Sequence, residues 1–175
     1  MKILVITGSS HHPGTSEILA DNFIMGAQES GNEITRFDAG DTPISPLTVD
    51  AKNNTANGNE TDRQILTMLN DADMVVLVTP LYYFGMTAQL KAVIDRMYQN
   101  NQNLIGNKYA MLLATAYGDG DSFDALVMHY HSITRYMKWT DQGMLLAGGC
   151  SGVNDVNRTN YPSQAYQLGK QIKLD

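Results

Sequence analysis

Runs of apolar residues alternate with segments of helical periodicity along the whole chain. Residues 2–7 and 74–78 are almost continuously apolar, which is typical of strands buried on both faces of a sheet. Residues 109–115 and 142–147 predict two more strands, and the half-polar residues 33–37 predict a strand at the edge of the sheet. Apolar residues spaced three and four apart predict a helix after each of these five strands.

This alternation favours an α/β fold with a parallel sheet and helices on both faces. The first and third strands are the most apolar and the second is half-polar, which predicts the doubly wound strand order 2-1-3-4-5. Ligands of such sheets bind at the carboxyl ends of the strands, near the reversal between strands one and three. Neither an internal repeat nor a linker interrupts the pattern, so residues 1–175 are predicted to form a single domain.

Three other segments are predicted to lack regular structure. Residues 38–59 are rich in Asn, Asp, Thr, Pro and Gly and predict a long loop, a feature that is uncommon in compact domains and often functional. Residues 99–107 form a polar connector, and residues 148–160 form a glycine-rich loop after the fifth strand.

The composition excludes several classes of function. Twelve basic and eighteen acidic residues give a net charge of −6 without a basic run, which argues against nucleic acid or membrane partners. A single cysteine cannot form a disulfide, a cysteine-ligated metal site or a cluster within one chain. The amino terminus becomes polar too early for a signal peptide or membrane span, so we expect a cytoplasmic protein.

The loop after the first strand has the composition of a phosphate site. Gly8 and Gly14 permit close approach of the backbone, while Ser9, Thr15 and Ser16 supply hydroxyl groups. The following helix begins with unpaired N–H groups and the positive end of its dipole. Helix capping alone requires one such hydroxyl, so three favour anion binding. The loop lacks the Gly-Lys-Ser/Thr ending of nucleotide triphosphatases and the Gly-x-Gly-x-x-Gly fingerprint of dinucleotide sites.

The histidines and the cysteine carry weaker signals. His11 and His12 are adjacent and have no third ligand at a suitable spacing, and His129 and His131 are expected on different faces of a helix. We therefore predict no metal site. His11 can instead donate to a phosphate oxygen, particularly in its protonated form. Cys150 is interpreted as inert packing near the end of an apolar strand.

Three consecutive aromatic residues follow the third strand. Pro80 ends this strand because it cannot donate to a ladder, and Tyr82, Tyr83 and Phe84 come directly after it. Large aromatic side chains on a loop at the carboxyl end of a strand predict a planar, ring-shaped ligand. They are also common at subunit interfaces, and both interpretations hold if the ligand lies at a dimer interface.

Residues 79–96 carry a family resemblance. Their sequence, Thr-Pro-Leu-Tyr-Tyr-Phe-Gly-Met-Thr-Ala-Gln-Leu-Lys-Ala-Val-Ile-Asp-Arg, resembles the flavin-ring loop and following helix of the NADPH-dependent FMN reductases and flavodoxin-like NAD(P)H oxidoreductases, including the iron–sulfur flavoprotein branch. Residues 8–16 are similar to the FMN phosphate loop of this family, and residues 165–170 are similar to its last helix. The resemblance covers nearly the whole chain and implies a flavodoxin-like fold.

The resemblance implies that three loops bind FMN. It implies phosphate-loop contacts for Ser9, His11, Gly14, Thr15 and Ser16. It implies ring contacts for Pro80, Leu81, Tyr82, Tyr83, Phe84 and Gly85, and contacts at the other edge of the ring for Ala116, Tyr117, Gly118 and Asp119. Two departures matter: His11 stands where the family often has a basic residue, and residues 38–59 lack the cysteines of the iron–sulfur branch, so we expect no iron–sulfur cluster.

The activity implied by the resemblance is that of an FMN-dependent oxidoreductase. NAD(P)H would deliver hydride to flavin N5, and electrons would pass to a small acceptor such as a quinone, a nitro or azo compound, or free flavin. No catalytic acid or base is assigned, because the cofactor performs the redox chemistry. Two alternatives remain, a flavodoxin-type electron carrier for protein partners and a flavin-free regulatory domain on the same scaffold. The aromatics and the family lead us to expect a homodimer or homotetramer.

Overall fold

Strands and helices alternate in the computed structural model of the chain, which describes residues 1–42 and 44–173. The strands are β1 (Lys2–Thr7), β2 (Glu33–Asp38), β3 (Val49–Asp50), β4 (Thr55–Ala56), β5 (Met74–Pro80), β6 (Tyr109–Thr115) and β7 (Thr140–Ala147). The helices are α1 (Thr15–Glu29), α2 (Glu60–Asp71), α3 (Ala88–Arg96), α4 (Asn101–Leu104), α5 (Asp124–Met137), α6 (Val153–Asn157) and α7 (Tyr161–Gln171). Single 3₁₀ turns, Met97–Asn100 and Gly120–Phe123, precede α4 and α5.

Five strands form one parallel sheet in the order β2-β1-β5-β6-β7. Because β3 and β4 pair only with each other, the sheet strands counted along the chain have the order 2-1-3-4-5, which confirms the predicted topology. All seven residues of β5 are buried, whereas β2 is partly exposed at the edge. Thr7 pairs with Val78, Pro80 with Thr115, and Thr115 with Ala147, so these strands end at one edge of the sheet.

Two apolar cores flank the sheet. Successive side chains of β1 point to opposite faces, so Leu4 and Ile6 lie in one core while Ile3 and Val5 lie in the other. Helices α1, α6 and α7 cover the face of Ile3, and α2, α3, α4 and α5 cover the face of Leu4. None of the helices in the described ranges is long and apolar enough to cross a membrane.

The long segment between β2 and α2 is more ordered than a loop prediction suggests. It contains the short β3–β4 hairpin and is held by the fully buried guanidinium of Arg96 on α3. Nε of Arg96 donates to the Ser45 carbonyl (3.0 Å), Nη1 donates to Asn57 Oδ1 (3.1 Å), and Nη2 lies 3.3 Å from Asp62 Oδ2. A charged side chain in a helix therefore replaces the apolar contacts that this polar segment lacks.

Short helices also correct two other loop predictions. The connector between α3 and β6 contains α4, and the glycine-rich segment after β7 contains α6. The start of α6 is stabilised by the Asp155 carboxylate, which accepts from the backbone N–H groups of Ser151 (3.1 Å) and Gly152 (3.0 Å). Composition alone does not reveal such a cap, because Asp and Gly are equally common in turns.

Candidate functional site

A cleft of about 410 Å³ opens at the carboxyl edge of the sheet, where parallel α/β sheets bind ligands. Four loops contribute to it, those after β1, β5, β6 and β7. Its lining residues are Ser9, His11, Pro13, Gly14, Thr15, Pro80, Leu81, Tyr82, Thr115, Ala116, Tyr117, Cys150, Ser151, Gly152 and Val153. A groove of similar size between α3 and α5 lies away from the strand ends, so its position gives no comparable reason to assign a cofactor.

The loop after β1 is a tight turn built around Ser9. The side chain of Ser9 is buried, and its Oγ accepts from the backbone N–H of His11 (3.1 Å). A Cβ atom on Gly14 would lie 2.5 Å from the His11 carbonyl and 3.0 Å from Ser9 Oγ, so only glycine fits without moving the turn. The loop thus carries its backbone directly to the first turn of α1, where helical N–H groups have no intrahelical partner.

Ser16, in the first turn of α1, has an unpaired hydroxyl. Among the described residues, its Oγ is the buried side-chain polar atom that lacks a hydrogen-bond partner. A buried polar group left unsatisfied costs about 1–3 kcal/mol. The first turn of α1 therefore combines unpaired N–H groups with a hydroxyl that can bind a ligand or a water molecule.

A network of ion pairs connects this loop to α1 and to Arg36 on β2. His12 lies between two carboxylates, with Nδ1 2.9 Å from Glu17 Oε1 and Nε2 2.7 Å from Asp41 Oδ2. The hydrogen bond to Glu17 raises the pKa of His12, and the negative charges of Glu17 and Asp41 add to this effect. Burial alone would raise the pKa of Glu17, but hydrogen bonds from His12, the Gly14 N–H and Arg36 outweigh it and lower that pKa.

The loop after β5 is fastened at its base by Thr79. The Thr79 hydroxyl donates to the Pro80 carbonyl (2.8 Å) and accepts from the backbone N–H of Thr87 (3.1 Å), which joins the start of the loop to the N-cap of α3. The backbone N–H of Leu81 donates to the Thr115 carbonyl at 2.7 Å. These bonds fix Pro80 and Leu81 at the wall of the cleft.

The aromatic residues form a two-residue hairpin turn. Tyr82 and Gly85 exchange backbone hydrogen bonds of 3.0 and 3.1 Å, and Tyr83 and Phe84 between them have φ angles of 47° and 64°. Both fall in the left-handed region, which bulky residues rarely adopt. Tyr83 is 100% exposed and Phe84 61% exposed, because the turn directs their side chains outward rather than into the cleft.

The end of β6 connects the loops around the cleft. Oγ1 of Thr115 lies 2.7 Å from Oγ1 of Thr15, the first residue of α1. The next residue, Ala116, donates its N–H to the Ala147 carbonyl (2.9 Å) and accepts from the N–H of Cys150 (2.7 Å). Backbone and side-chain bonds from two consecutive residues thus hold parts of all four loops together.

The loop after β7 forms a wall of the cleft that the sequence analysis did not assign. Cys150 is buried, lines the cleft and donates through Sγ to the Gly148 carbonyl (3.3 Å). Burial raises the pKa of its thiol, and the charges of Asp155 and Asp119 raise it further. Besides the predicted packing role, Cys150 therefore forms part of the cleft wall. Its raised pKa is consistent with low reactivity.

The structure brings part of the predicted site together. Those predicted residues that line the cleft are Ser9, His11, Gly14, Thr15, Pro80, Leu81, Tyr82, Ala116 and Tyr117. The others lie outside its lining: Ser16, Tyr83, Phe84, Gly85, Gly118 and Asp119. Ser16 is buried in the first turn of α1, whereas Tyr83 and Phe84 are exposed.

Several lining residues were missed by sequence reasoning, namely Pro13, Thr115, Cys150, Ser151, Gly152 and Val153. The glycine-rich segment after the fifth strand was a usable signal for the last four, since it follows a parallel strand as the other site loops do. No group of three or more His, Cys, Asp or Glu within residues 1–42 and 44–173 is arranged to hold a metal ion.

The cleft lining combines two kinds of surface. The start of a 15-residue helix and hydroxyl side chains form one, which attracts an anion. Pro80, Leu81 and the rings of Tyr82 and Tyr117 form the other, which favours a flat apolar group. An elongated ligand with an anionic group at one end and a planar ring at the other fits this division.

Comparison with known proteins supports the same chemistry. The family described as NADPH-dependent FMN reductase matches residues 1–146. YwqN of Bacillus subtilis, whose name describes an NAD(P)H-dependent FMN-containing oxidoreductase, is 26% identical over 163 residues, covering 85% of this chain and 86% of YwqN.

Solved structures show the same fold. The crystal structure of azoreductase AzrA superposes with a TM-score of 0.77 at 17% identity and covers 98% of this chain and 100% of its own. An FMN-dependent NADH-azoreductase from Bacillus anthracis in complex with FMN superposes with a TM-score of 0.76 at 14% identity. The match covers 97% of this chain and 98% of the azoreductase chain. At these identities the likeness shows a shared architecture.

Proposed function

The chain belongs to the NADPH-dependent FMN reductase family and is an NAD(P)H-dependent FMN oxidoreductase. From this membership we propose which residues bind FMN and which compounds the enzyme reduces. Membership confirms the resemblance that residues 79–96 carry. We propose that the cleft at the carboxyl edge of the sheet is the FMN site, with the phosphate at the start of α1 and the ring beside Pro80–Tyr82. The observation that carries this proposal is that the start of α1 and the loop after β5 line the same cleft.

The first loop fits a phosphate group. The first-turn N–H groups of α1 and the hydroxyl of Thr15 together supply several donors, and the unpaired Oγ of Ser16 is buried in the same turn. Gly14 keeps the backbone accessible, because any side chain there would collide with the His11 carbonyl. The helix dipole adds only about 0.3–1 kcal/mol, so these hydrogen bonds supply most of the affinity. His11, exposed at the rim, provides a further donor.

The ring end fits an isoalloxazine. Leu81 is held by its N–H bond to the Thr115 carbonyl and Pro80 by the Thr79 hydroxyl, and both line the cleft together with Tyr82, which is half-exposed. Tyr117 follows β6, also lines the cleft and is 83% exposed. An aromatic contact contributes about 0.5–1.5 kcal/mol beyond the area that it buries, so these rings hold a planar group against the cleft wall.

Bound FMN supplies the hydride-accepting and electron-donating chemistry, and the protein supplies binding and orientation. Tyr83 and Phe84 stand at the open rim, and we assign them to the surface that nicotinamide and acceptor meet on approach. A flat acceptor matches these exposed aromatics. The azoreductases with the same architecture favour an azo compound as the class to test first.

The test is a spectrum of the purified protein with FMN, before and after anaerobic mixing with NADPH or NADH in a stopped-flow instrument. Prompt bleaching of the flavin absorbance supports a reductase, whereas persistent colour indicates an electron carrier. Absence of FMN binding would indicate a flavin-free domain. Replacing Tyr82 with Ala should raise the Kd for FMN about twofold to tenfold. Replacing Tyr166, a tyrosine on α7 outside the cleft and on the opposite face of the sheet from α3 and α5, is the matched control and should leave the Kd unchanged.

A homodimer formed through α3 and α5 is the partner that best suits the surface. Tyr98, Met128 and Tyr136 are each more than 60% exposed on this side of the molecule, beside a groove of about 400 Å³. Asp124 and Arg135 are both exposed and lie three helical turns apart on α5. A two-fold axis across the middle of α5 would place each opposite the other on the second copy.

Light scattering after size exclusion tests this interface. Arg135→Asp should shift the protein towards monomer by placing like charges opposite each other, and adding Asp124→Arg should restore the dimer. A wild-type mass equal to one chain contradicts the proposal.

We also propose a cytoplasmic location for the protein. The single cysteine is compatible with this location, and no helix among the described residues is long and apolar enough to cross a membrane.

A further inference from the structure

One hydrogen bond joins the two ends of the proposed FMN site through side chains. Thr15 Oγ1 at the start of α1 and Thr115 Oγ1 at the end of β6 are 2.7 Å apart, although the residues are separated by 100 positions in the chain. Thr115 is 1% exposed, and its carbonyl also accepts from Leu81 N–H in the ring loop. Thr115 is therefore bonded directly to both halves of the cleft.

The chemistry of a phosphate determines the direction of this bond. A phosphate dianion only accepts hydrogen bonds, so the Thr15 hydroxyl must donate to it. A hydroxyl has one proton to donate, and its oxygen can accept from another group at the same time. If Thr15 gives its proton to the phosphate, the 2.7 Å contact can form only with Thr115 as the donor. The two hydroxyls then form a chain in which each bond polarises the next.

Resting on the proposed FMN site, we infer that Thr115 is a positioning residue for the phosphate. Its O–H donates to Thr15 Oγ1, which turns the Thr15 proton towards the anion and strengthens that donation. Because the Thr115 carbonyl accepts from Leu81 N–H, the same residue sets the spacing between the phosphate end and the ring end. Thr115 thus contributes to selection of a phosphorylated flavin over an unphosphorylated one.

The test compares FMN with riboflavin, which has the same ring and no phosphate. Thr115→Val keeps a β-branched side chain and the backbone bond to Leu81, and it removes only the hydroxyl. We expect the Kd for FMN to rise about threefold to tenfold, as for loss of one ordinary hydrogen bond, while the Kd for riboflavin stays within about twofold. Thr115→Ser keeps the hydroxyl and should restore the wild-type preference for FMN. Flavin fluorescence quenching measures both constants without turnover.

A double-mutant cycle with Thr15 identifies the bond itself. Thr15→Val should weaken FMN binding, and Thr115→Val in that background should cause no further loss, because the acceptor is already absent. Equal losses for FMN and riboflavin would overturn the inference, since they indicate ring contact or a general packing defect. Additive losses for FMN would overturn it as well. Should the valine variant not fold, Thr115→Ala takes its place in the same comparison.

The inference and the proposed site fail separately. If wild-type protein binds neither flavin in the cleft, the proposed site is wrong. If wild-type protein prefers FMN and Thr115→Val keeps that preference, the site stands and the positioning role of Thr115 is wrong.

Discussion

Replacement of Tyr83 by glycine should stabilise the protein, although it removes a large side chain. Tyr83 has a φ angle of 47° at the tip of the aromatic turn, and its side chain is 100% exposed. No burial is therefore lost on truncation. Glycine adopts this backbone conformation without the steric conflict of a Cβ atom, so the substitution relieves strain in the folded state.

The expected magnitude is the difference between two backbone effects. A non-glycine residue in the left-handed region costs about 1–2 kcal/mol. Introducing glycine lowers the stability by about 0.5–1 kcal/mol, because glycine has more conformational freedom in the unfolded chain. The difference between the two ranges is a stabilisation of up to about 1.5 kcal/mol, with a midpoint of about 0.75 kcal/mol. For a chain of this length, the midpoint corresponds to a rise in Tm of about 1.5–3 °C.

Thermal and urea unfolding of the FMN-free protein measure this change, with Tyr117→Gly as the control. Tyr117 is 83% exposed and lies outside the residues with positive φ, so glycine there brings only its entropic cost. The same replacement should thus change stability in opposite directions at the two positions. A loss of stability at Tyr83 equal to that at Tyr117 would refute the assignment of strain to the turn.

The same variant tests why the strained aromatic is present. If Tyr83 contacts nicotinamide or acceptor, Tyr83→Gly should lower kcat/KM about twofold to tenfold, the effect of losing one aromatic contact. Higher stability with unchanged kcat/KM would show that the ring of Tyr83 does not contact either substrate. Strain that persists at a site is expected where function depends on the strained group.

Other predictions concern groups around the site. Cys150 should react slowly with iodoacetamide, because burial raises its pKa, and FMN should slow the reaction in proportion to occupancy; equal rates with and without FMN would place Cys150 outside the site. Arg96→Met should lower the free energy of unfolding, measured in urea, by about 3–5 kcal/mol, and adding Asp62→Asn should recover part of that loss. A loss below about 1 kcal/mol would contradict the role of Arg96 in holding the segment between β2 and α2. The folded pKa of His12 is raised, so its contribution to stability is fully present below its unfolded pKa and is lost as pH rises through the folded value. The stability gap between wild type and His12→Gln should therefore be largest below the ordinary histidine pKa of 6.5 and close as pH rises through the raised folded pKa, and a gap that widens would exclude the pairing with Glu17.

The sequence predicted those parts of the fold and site that local pattern determines. The apolar runs located the sheet strands, and Gly14 and Ser9 marked the first loop, because strands and helix starts have characteristic local composition. The role of Thr115 could not be predicted, since its partner is 100 residues away and threonine is ordinary in a strand. The sequence analysis assigned no role to Arg96, and local pattern could not have done so, because its guanidinium is buried by a segment that precedes it by about fifty residues.

The charges behind the first loop explain how an acidic protein can hold a phosphate. Glu17, Asp38 and Asp41 all lie near the start of α1, where uncompensated carboxylates would repel an anion. His12 bridges Glu17 and Asp41, and Arg36 binds Glu17 and Asp38, so these carboxylates are paired with cations, and none of them lines the cleft. Deprotonation of His12 would leave this side more negative. FMN affinity should therefore fall as pH rises through the raised pKa of His12, and riboflavin affinity should fall less because riboflavin carries no anion. Parallel loss of both affinities would instead place the pH effect in the fold of the loop.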